Sequence, residues 1–467
     1  MSTSAQIFRQ NATRWAGDVE HRHRIEKALR GYEIKRDEYK GRFQSWAEAR
    51  RAAAAVKFEV INHLDKYLEQ FVKNIEARGA KVFWASDARE AREYILQVAR
   101  DNKAQFIIKS KSMTTEEIHL NEALQEAGFE VFESDLGEFI VQLREEPPYH
   151  IVFPAMHLTR GQISDVFQKK LQAEPVQDPE ALTMIARRLM RQKFCRADMG
   201  ISGVNFGVAE TGMISITENE GNARLTTALP RIHVAVMGIE KLVRSMDDLA
   251  LFLPMLATAG AGQHLTCYNT LYGGPRLAGE SDGPVQFHLV LLDNGRTRIL
   301  ADSEQRDALH CIRCGACLNV CPIFRNIGGH AYGVTYQGPI GSVITPHLRG
   351  LLEYKHLPFA SSLCGACTET CPVGIDLAHH LLQNRRNAVA QKPPLLDKIL
   401  FFGFKVLMKK PWLYRFGMGM ARLLQPLHEL IKGTALDPMR PWTKTRQTPK
   451  FARKSFRAWW QARNPQS

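Results

Sequence analysis

Apolar and polar positions follow two rhythms along this chain. Residues 1–55 read as charged helix, through "HRHRIEKALRGYEIKRDEYKGRF" and then "SWAEARRAAAAVKFEV", both rich in Ala, Arg and Glu. From 56 to 300 the rhythm changes to short apolar runs separated by helical patterns. "KVFWA" (81–85), "QFIIKS" (105–110), "FEVFES" (129–134), "EFIVQL" (138–143) and "HIVFPA" (150–155) read as strands, as do "GMISIT" (212–217), "IHVAVMG" (232–238) and "VQFHLVLLD" (285–293). "DAREAREYILQVARDN" and "TTEEIHLNEALQEAG" carry the helical period between them. Strands alternating with helices predict an α/β domain with a mostly parallel sheet. Residues 301–390 are cysteine-rich and otherwise helical or loop-like. "QKPPLLDK" marks a linker, because a Pro pair cannot continue a helix, and a basic extension over 391–467 follows it.

Length and composition change this picture little. At 467 residues the chain exceeds one core, and 45% hydrophobic with 24% charged residues is ordinary for a globular protein. No run approaches the length of a transmembrane helix, and "MSTSAQIFRQNATRW" has no apolar segment of a signal peptide. A reducing, cytoplasmic setting follows, where clustered cysteines are metal ligands before they are disulfides. Charge matters more. The net +14 is concentrated from Ala390 onward, where 16 Lys and Arg face 3 acidic residues. One basic tail on a neutral body, with no RNA- or DNA-binding motif, argues against a nucleic-acid partner. It points instead to an acidic partner surface or to peripheral contact with the inner face of a membrane.

Seven of the nine cysteines fall in two motifs. "HCIRCGACLNVCPIF" (310–324) has the spacing C-x2-C-x2-C-x3-C-P, and "SSLCGACTETCPVGI" (361–375) repeats it with Ser361 where the first cysteine should stand. Soft thiolates at three-residue steps suit the corners of an iron–sulfur cube, and the cysteine before Pro ligates the other cluster in two-cluster ferredoxins. That crossed rule predicts two [4Fe-4S] clusters. Cys311, Cys314, Cys317 and Cys371 hold the first; Cys321, Cys364 and Cys367 hold the second. The vacancy leaves open a Ser361 or Ser362 oxygen, a histidine, a partner's residue, an open iron or a [3Fe-4S] cluster. Zinc ribbons also use C-x2-C pairs, but not three thiolates at this spacing before Cys-Pro. A decayed second copy is the other alternative, weakened by the intact "CGAC" and "CPVGI". Cys195 and Cys267 read as small buried hydrophobes. His379 and His380 read as surface or packing residues, and His310 and His330 flank the first cluster.

The α/β half shows no P-loop, no dinucleotide fingerprint and no nucleophile elbow, so nucleotide binding is unsupported. Two stretches stand out. "IKSKSMTTEEIHLNEAL" places Lys109, Ser110, Lys111 and Ser112 between a strand and a helix, where an anion could meet backbone N–H groups. "GVNFGVAETGMISIT" puts Asn205, Glu210 and Thr211 in a Gly-bounded turn. Lys109, Lys111, Asn205, Glu210 and Thr211 are therefore the candidate small-ligand site, against the plainer reading of a capped helix and a hairpin.

The stretch "KSKSMTTEEIHLNEALQEAGFEVFESDLGEFIVQL", the "AETG" turn and both cysteine motifs resemble the bacterial lactate-utilisation protein B family, over nearly the whole chain. The resemblance implies an N-terminal lactate-utilisation domain similar in fold to the sugar-phosphate isomerase and CoA-transferase group. It also implies an all-helical two-cluster ferredoxin domain and a family-specific C-terminal extension. Members of this family act with two companion subunits in oxidising L-lactate to pyruvate, and the three-cysteine second motif is characteristic of them. The expected role is therefore electron carrier within an L-lactate dehydrogenase complex, with an acceptor the sequence does not name. Two alternatives remain: a catalytic subunit binding a hydroxy acid around Lys109, Lys111 and Glu210, and a scaffold with structural clusters.

Overall fold

The computed structural model describes residues 3–464 apart from 394, 438, 444, 445 and 453. Four helices open the chain: Ser4–Gly17, Val19–Lys40, Trp46–Asn62 and Leu64–Glu76. Each of the first three begins on a side-chain cap, Thr3, Asp18 and Ser45 in turn, that accepts an otherwise orphaned backbone N–H. Helix thus continues through Glu76, and the first strand follows.

Ten strands come next: β1 (Lys81–Ala85), β2 (Phe106–Lys109), β3 (Glu130–Glu133), β4 (Met199–Gly203), β5 (Phe206–Val208), β6 (Met213–Glu218), β7 (Ile232–Gly238), β8 (Leu242–Val243), β9 (Tyr268–Tyr272) and β10 (Gln286–Leu292). Six of them form one sheet in the order β1-β10-β7-β4-β2-β3, every pair parallel. Both faces are covered, which is why these strands read as unbroken apolar runs. The period of two still sorts their side chains. Val234 and Val236 of β7 pack with the Ala88–Asp101 helix, while Ala235 and Met237 face the opposite core, with the N-terminal helices and the cysteine loops. The remaining strands form a smaller sheet, β8-β5-β6-β9, which the sequence patterns did not reveal.

Two expected strands are not strands. "EFIVQL" lies within the helix Leu136–Arg144, started by Asp135, whose carboxylate accepts the Glu138 N–H at 3.1 Å. Asp followed three residues later by Glu is a helix-start signal that outweighed the β-branched run. "HIVFPA" is a tight loop. The His150 ring Nδ1 accepts the N–H groups of Val152 and Phe153, at 3.0 and 3.2 Å, so a ladder cannot use them. Tyr149 N–H donates to the Pro154 carbonyl and closes the turn.

The strand order also locates a crevice. The chain runs outward from β2 to β3, then reverses to β4, β7 and β10 on the other side. Neighbouring β2 and β4 therefore send their connections in opposite directions, and their carboxyl ends border a topological switch point.

Residues 302–391 contribute short helices and 3-10 turns, including Ala316–Asn319, Pro322–Ile327, Gly338–Arg349, Ala366–Thr370 and Leu377–Gln391. Residues 1–388 make one compact unit and 389–467 a second. The second unit contains the helices Leu395–Lys409, Pro411–Ile431, Arg440–Thr443 and Phe456–Arg463. Many of its large apolar side chains are exposed, Leu430 at 79% and Phe401 at 70% among them.

Candidate iron–sulfur centre and adjoining cavity

The two cysteine motifs are the same piece of backbone used twice, fifty residues apart. Gly315 and Gly365 of the two "CGAC" stretches sit at φ +77° and +84°, a region in which only glycine is unstrained. The residues two before them, Arg313 and Leu363, are also left-handed, at φ +60° and +54°. Cys321 and Cys371, each followed by Pro, share extended backbone with ψ 118°. The likeness extends to the vacant position. Arg313 N–H donates to the Cys311 sulfur at 3.4 Å, and Leu363 N–H donates to the Ser361 hydroxyl oxygen at 3.2 Å. Ser361 Oγ therefore stands in its loop as Cys311 Sγ stands in the other.

Cysteines from both motifs line one small cavity: Cys311, Cys314 and Cys317 with Cys371, closed by Ile340, Val373 and Leu377. Arg50 secures the second loop here, donating to the Cys371 carbonyl at 2.7 Å and to the Thr368 carbonyl at 2.9 Å. Burial raises the thiol pKa of Cys321, Cys367 and Cys317, and neighbouring thiols add to it: Cys364 acts on Cys321, Cys321 on Cys367, and Cys367 on Cys317 of the first motif. Burial pushes the Cys371 thiol up to about 11 and that of Cys367 to about 12. Only a bound cation would draw the protons off such thiols near neutral pH.

The surroundings of Cys311 carry buried positive charge. Arg296 is held between two carboxylates, 2.8 Å from Glu117 and 2.6 Å from Glu240, and Glu240 also pairs with Arg313 at 3.3 Å. Burial opposes the ionisation of Glu240, yet Arg296, Arg313 and Lys241 hold its pKa at about 2. Lys57 donates to the carbonyls of Glu240 and Leu242 at 2.6 and 3.2 Å. Lys241 is 7% exposed and makes no hydrogen bond or ion pair among the described residues, and the Nε and Nη1 of Arg313 are likewise unpaired. Two buried guanidinium groups (Arg296, Arg313) thus balance two buried carboxylates (Glu117, Glu240), and two buried lysines stand in excess, with burial pulling Lys57 down to about 7 and Lys241 to about 8. Such an excess needs negative charge nearby. A cube held by four thiolates supplies it, so the residues fit the group. None of these cations has a motif that a sequence reading could find.

A larger cavity, about 350 Å³, shares Cys314 with this centre. It opens at the carboxyl ends of β2 and β4, and Lys111 and Asn205 line it with Lys241 and Arg313. The other candidate ligand residues lie elsewhere. Lys109 is wholly buried, 2.8 Å from Glu133 and 3.0 Å from Glu116. Burial alone would lower its pKa, but Glu133, Glu116 and Glu138 outweigh that and raise it. Glu210 and Thr211 sit in the β5–β6 turn, which Asn74 and Arg78 fasten through its carbonyls. Glu210 accepts the Met246 N–H there, and Thr211 the Met213 N–H. The five residues do not converge. Lys111 and Asn205 reach the cavity, whereas Lys109, Glu210 and Thr211 brace the fold.

Cys195 and Cys267 are exposed, not buried. Cys195 lies on the outer side of a helix whose inward stripe is Leu182, Ala186, Met190 and Phe194; Cys267 precedes the edge strand β9. Burial pushes His310 down to about 3, so it is neutral, and buried His380 is lowered by burial as well, while exposed His379 contacts Gln383. His330 hydrogen-bonds the Pro147 carbonyl, and its donor atoms lie within 4.8 Å of those of Glu146 and His157. His157 already pairs with Glu146 at 2.9 Å.

The arrangement defines an iron–sulfur protein: a parallel α/β domain joined to paired cysteine loops. Family models agree, matching a LUD domain over residues 68–292, a 4Fe-4S dicluster domain over 307–375 and a lactate utilisation protein B C-terminal region over 384–465. Full-length likenesses carry the assignment to one family. Lactate utilization protein B of Bacillus velezensis is 46% identical, covering 90% of each chain. Its namesake in Oceanobacillus iheyensis is 43% identical over 96% of this chain and 97% of its own, and that of Bacillus licheniformis 42% over 99% and 98%. The chain belongs to the lactate utilisation protein B family. No helix among the described residues is long and apolar enough to cross a membrane.

If Lys109 is a brace, Lys109→Met leaves Glu133 buried without its cation. Its unfolding free energy in urea should fall by about 3–5 kcal/mol, with the iron content of reconstituted protein unchanged. Unaltered stability would return Lys109 to the list of ligand-binding residues.

Proposed function

We propose that this chain is the iron–sulfur electron-transfer subunit of a system that oxidises L-lactate to pyruvate. In this reading two companion subunits complete the system, lactate is oxidised on one of them, and electrons leave through this chain to an acceptor. The name carried by its relatives supports the lactate part. The observation that supports the rest is one cavity lined by cysteines of both motifs, as two neighbouring clusters with crossed ligands would require. When bound, [4Fe-4S] clusters supply one-electron redox chemistry.

The chain's own residues then have distinct tasks. Cys311, Cys314, Cys317 and Cys371 hold the first cluster, and Cys321, Cys364 and Cys367 hold the second. Ser361 supplies the fourth ligand of the second through Oγ, because its hydroxyl accepts the Leu363 N–H as Cys311 sulfur accepts that of Arg313. Arg50 keeps Cys371 facing the first motif, and the buried cations around Cys311 favour the added negative charge of reduction. The basic second unit docks an acidic surface of a companion subunit. Its charge supplies the attraction, and apolar side chains such as Phe401, Phe402 and Leu430 supply area to bury.

Anaerobically reconstituted protein should hold about eight iron atoms per chain. Cys371→Ser should perturb the same electron paramagnetic resonance (EPR) signal as Cys311→Ser, and Cys321→Ser the same signal as Cys364→Ser. Ser361→Cys should leave the second signal in place, whereas Ser361→Ala should weaken it or turn it into that of a three-iron cluster. If Cys371→Ser instead mimics Cys364→Ser, each motif is a self-contained site and the crossed ligation is wrong.

Removing residues 390–467 should leave the iron content intact while abolishing co-purification with companion subunits. A truncated chain that still assembles would sink the docking role. Salt-sensitive binding of the full chain to anionic vesicles, without assembly, would give the tail to the membrane instead.

A further inference from the structure

Glu146, His157 and His330 gather ligand-type side chains at a place that neither cysteine motif touches. Glu146 follows the helix Leu136–Arg144, His157 precedes the helix Arg160–Leu171, and His330 opens a 3-10 turn in the segment after Cys321. Two glycines let these stretches meet. A Cβ on Gly328 would overlap the Tyr149 hydroxyl, and one on Gly329 would overlap the Tyr149 carbonyl oxygen. His330 then reaches the Pro147 carbonyl at 2.8 Å, and Gln337 the Pro148 carbonyl at 3.0 Å.

These hydrogen bonds fix which ring nitrogens keep lone pairs. A carbonyl only accepts, so His330 gives its Nε2 proton to Pro147, and its Nδ1 makes no hydrogen bond among the described residues. Metal-binding histidines are anchored in this way, the outer N–H on a carbonyl or carboxylate. Burial lowers the pKa of His330 and keeps the ring neutral. His157 is 6% exposed and stacks on Tyr149 with ring centroids 4.7 Å apart. Its Nε2 donates to Glu146 Oε1 at 2.9 Å, which leaves Nδ1 with a lone pair, buried and without a partner. One donor atom from each of the three residues lies within 4.8 Å of the other two.

We propose that Glu146, His157 and His330 bind one divalent transition-metal ion, zinc before others, which fastens the α/β domain to the segment following Cys321.

The donors choose the metal. Two imidazoles and a carboxylate make a zinc set, with a fourth position for water, whereas calcium and magnesium take oxygen ligands. Ligand atoms about 2.0–2.1 Å from a tetrahedral zinc stand roughly 3.4 Å apart, so small rotations of the partly exposed Glu146 and His330 close the set. Arg144 is the competitor for Glu146, which it meets at 2.5 Å; it is 33% exposed and can turn to solvent when an ion takes its place. His21 lies close by but is engaged with the Tyr149 hydroxyl at 2.8 Å and stays outside the set.

Zinc titration of the full, reconstituted chain, whose cysteines then carry iron, tests the assignment, with a zinc indicator dye as competitor and X-ray absorption of the bound metal. One zinc per chain should bind, with nitrogen and oxygen neighbours and no sulfur. His157→Gln and His330→Gln should each weaken binding at least about tenfold with iron content preserved. Arg144→Gln should strengthen it. Should His157→Gln fail to fold, His330→Gln, at the partly exposed edge, still decides. The proposal fails if no zinc binds at micromolar concentration, if the bound zinc has sulfur neighbours, or if His330→Gln binds as the unmodified chain does.

Discussion

One buried chain of charges ties the two halves of this molecule together. Glu117 follows β2, Glu240 follows β7, Arg296 follows β10, and Arg313 lies between the first two cysteines of the iron–sulfur motif. Arg296 bridges the two carboxylates, Arg313 meets Glu240, and the Tyr336 hydroxyl donates to Glu117 at 2.6 Å. Breaking such a network from one side strands a charge in a medium that solvates it poorly, at a cost of about 3–5 kcal/mol. The first cysteine loop is therefore held to the carboxyl edge of the sheet by electrostatics as well as by packing. The cysteine-lined cavity and the larger cavity share Cys314, beside the loop that this network holds.

Much of this was legible in the sequence, for physical reasons that differ by element. Thiolate spacing is fixed by the cube it must wrap, so the cysteines announce themselves. Strands buried on both faces, such as β7 and β10, are mostly apolar, with His233 and His288 as buried exceptions, and were read correctly. "EFIVQL" was not, because its composition favours a strand while the cap at Asp135 starts a helix one residue later. "HIVFPA" failed because a histidine side chain intercepts the backbone donors. Lys109 looked available beside a helix start, but its partners Glu116 and Glu133 come from different elements and meet it only in the fold. Lys57, Lys241 and Arg296 were invisible for the same reason. Their meaning is a shared environment assembled from positions far apart in the sequence.

The missing cysteine now has a geometric setting. Its loop keeps the left-handed residues, the glycine and the hydrogen bond of the complete copy, with oxygen in place of sulfur. A decayed motif would have no reason to retain all of them. Oxygen is a harder donor than sulfur, and Cys364 in the same motif is exposed while Cys314 and Cys317 are buried. The two cysteine sets therefore have different surroundings: Cys311 lies beside buried basic side chains, whereas the second loop carries a hydroxyl oxygen at Ser361 and an exposed Cys364, and clusters held there as proposed would differ accordingly. Unequal surroundings give unequal potentials, which direct electrons between neighbouring centres.

The buried basic side chains around Cys311 are proposed to serve a negatively charged cluster. An EPR-monitored potentiometric titration of Lys241→Met tests it most directly, because Lys241 has no hydrogen bond to lose and the fold should tolerate the change. Removing one positive charge should make reduction harder. The signal abolished by Cys311→Ser should move to lower potential in Lys241→Met, while the other signal stays where it is. An unmoved first signal, or an equal shift in both, would contradict it.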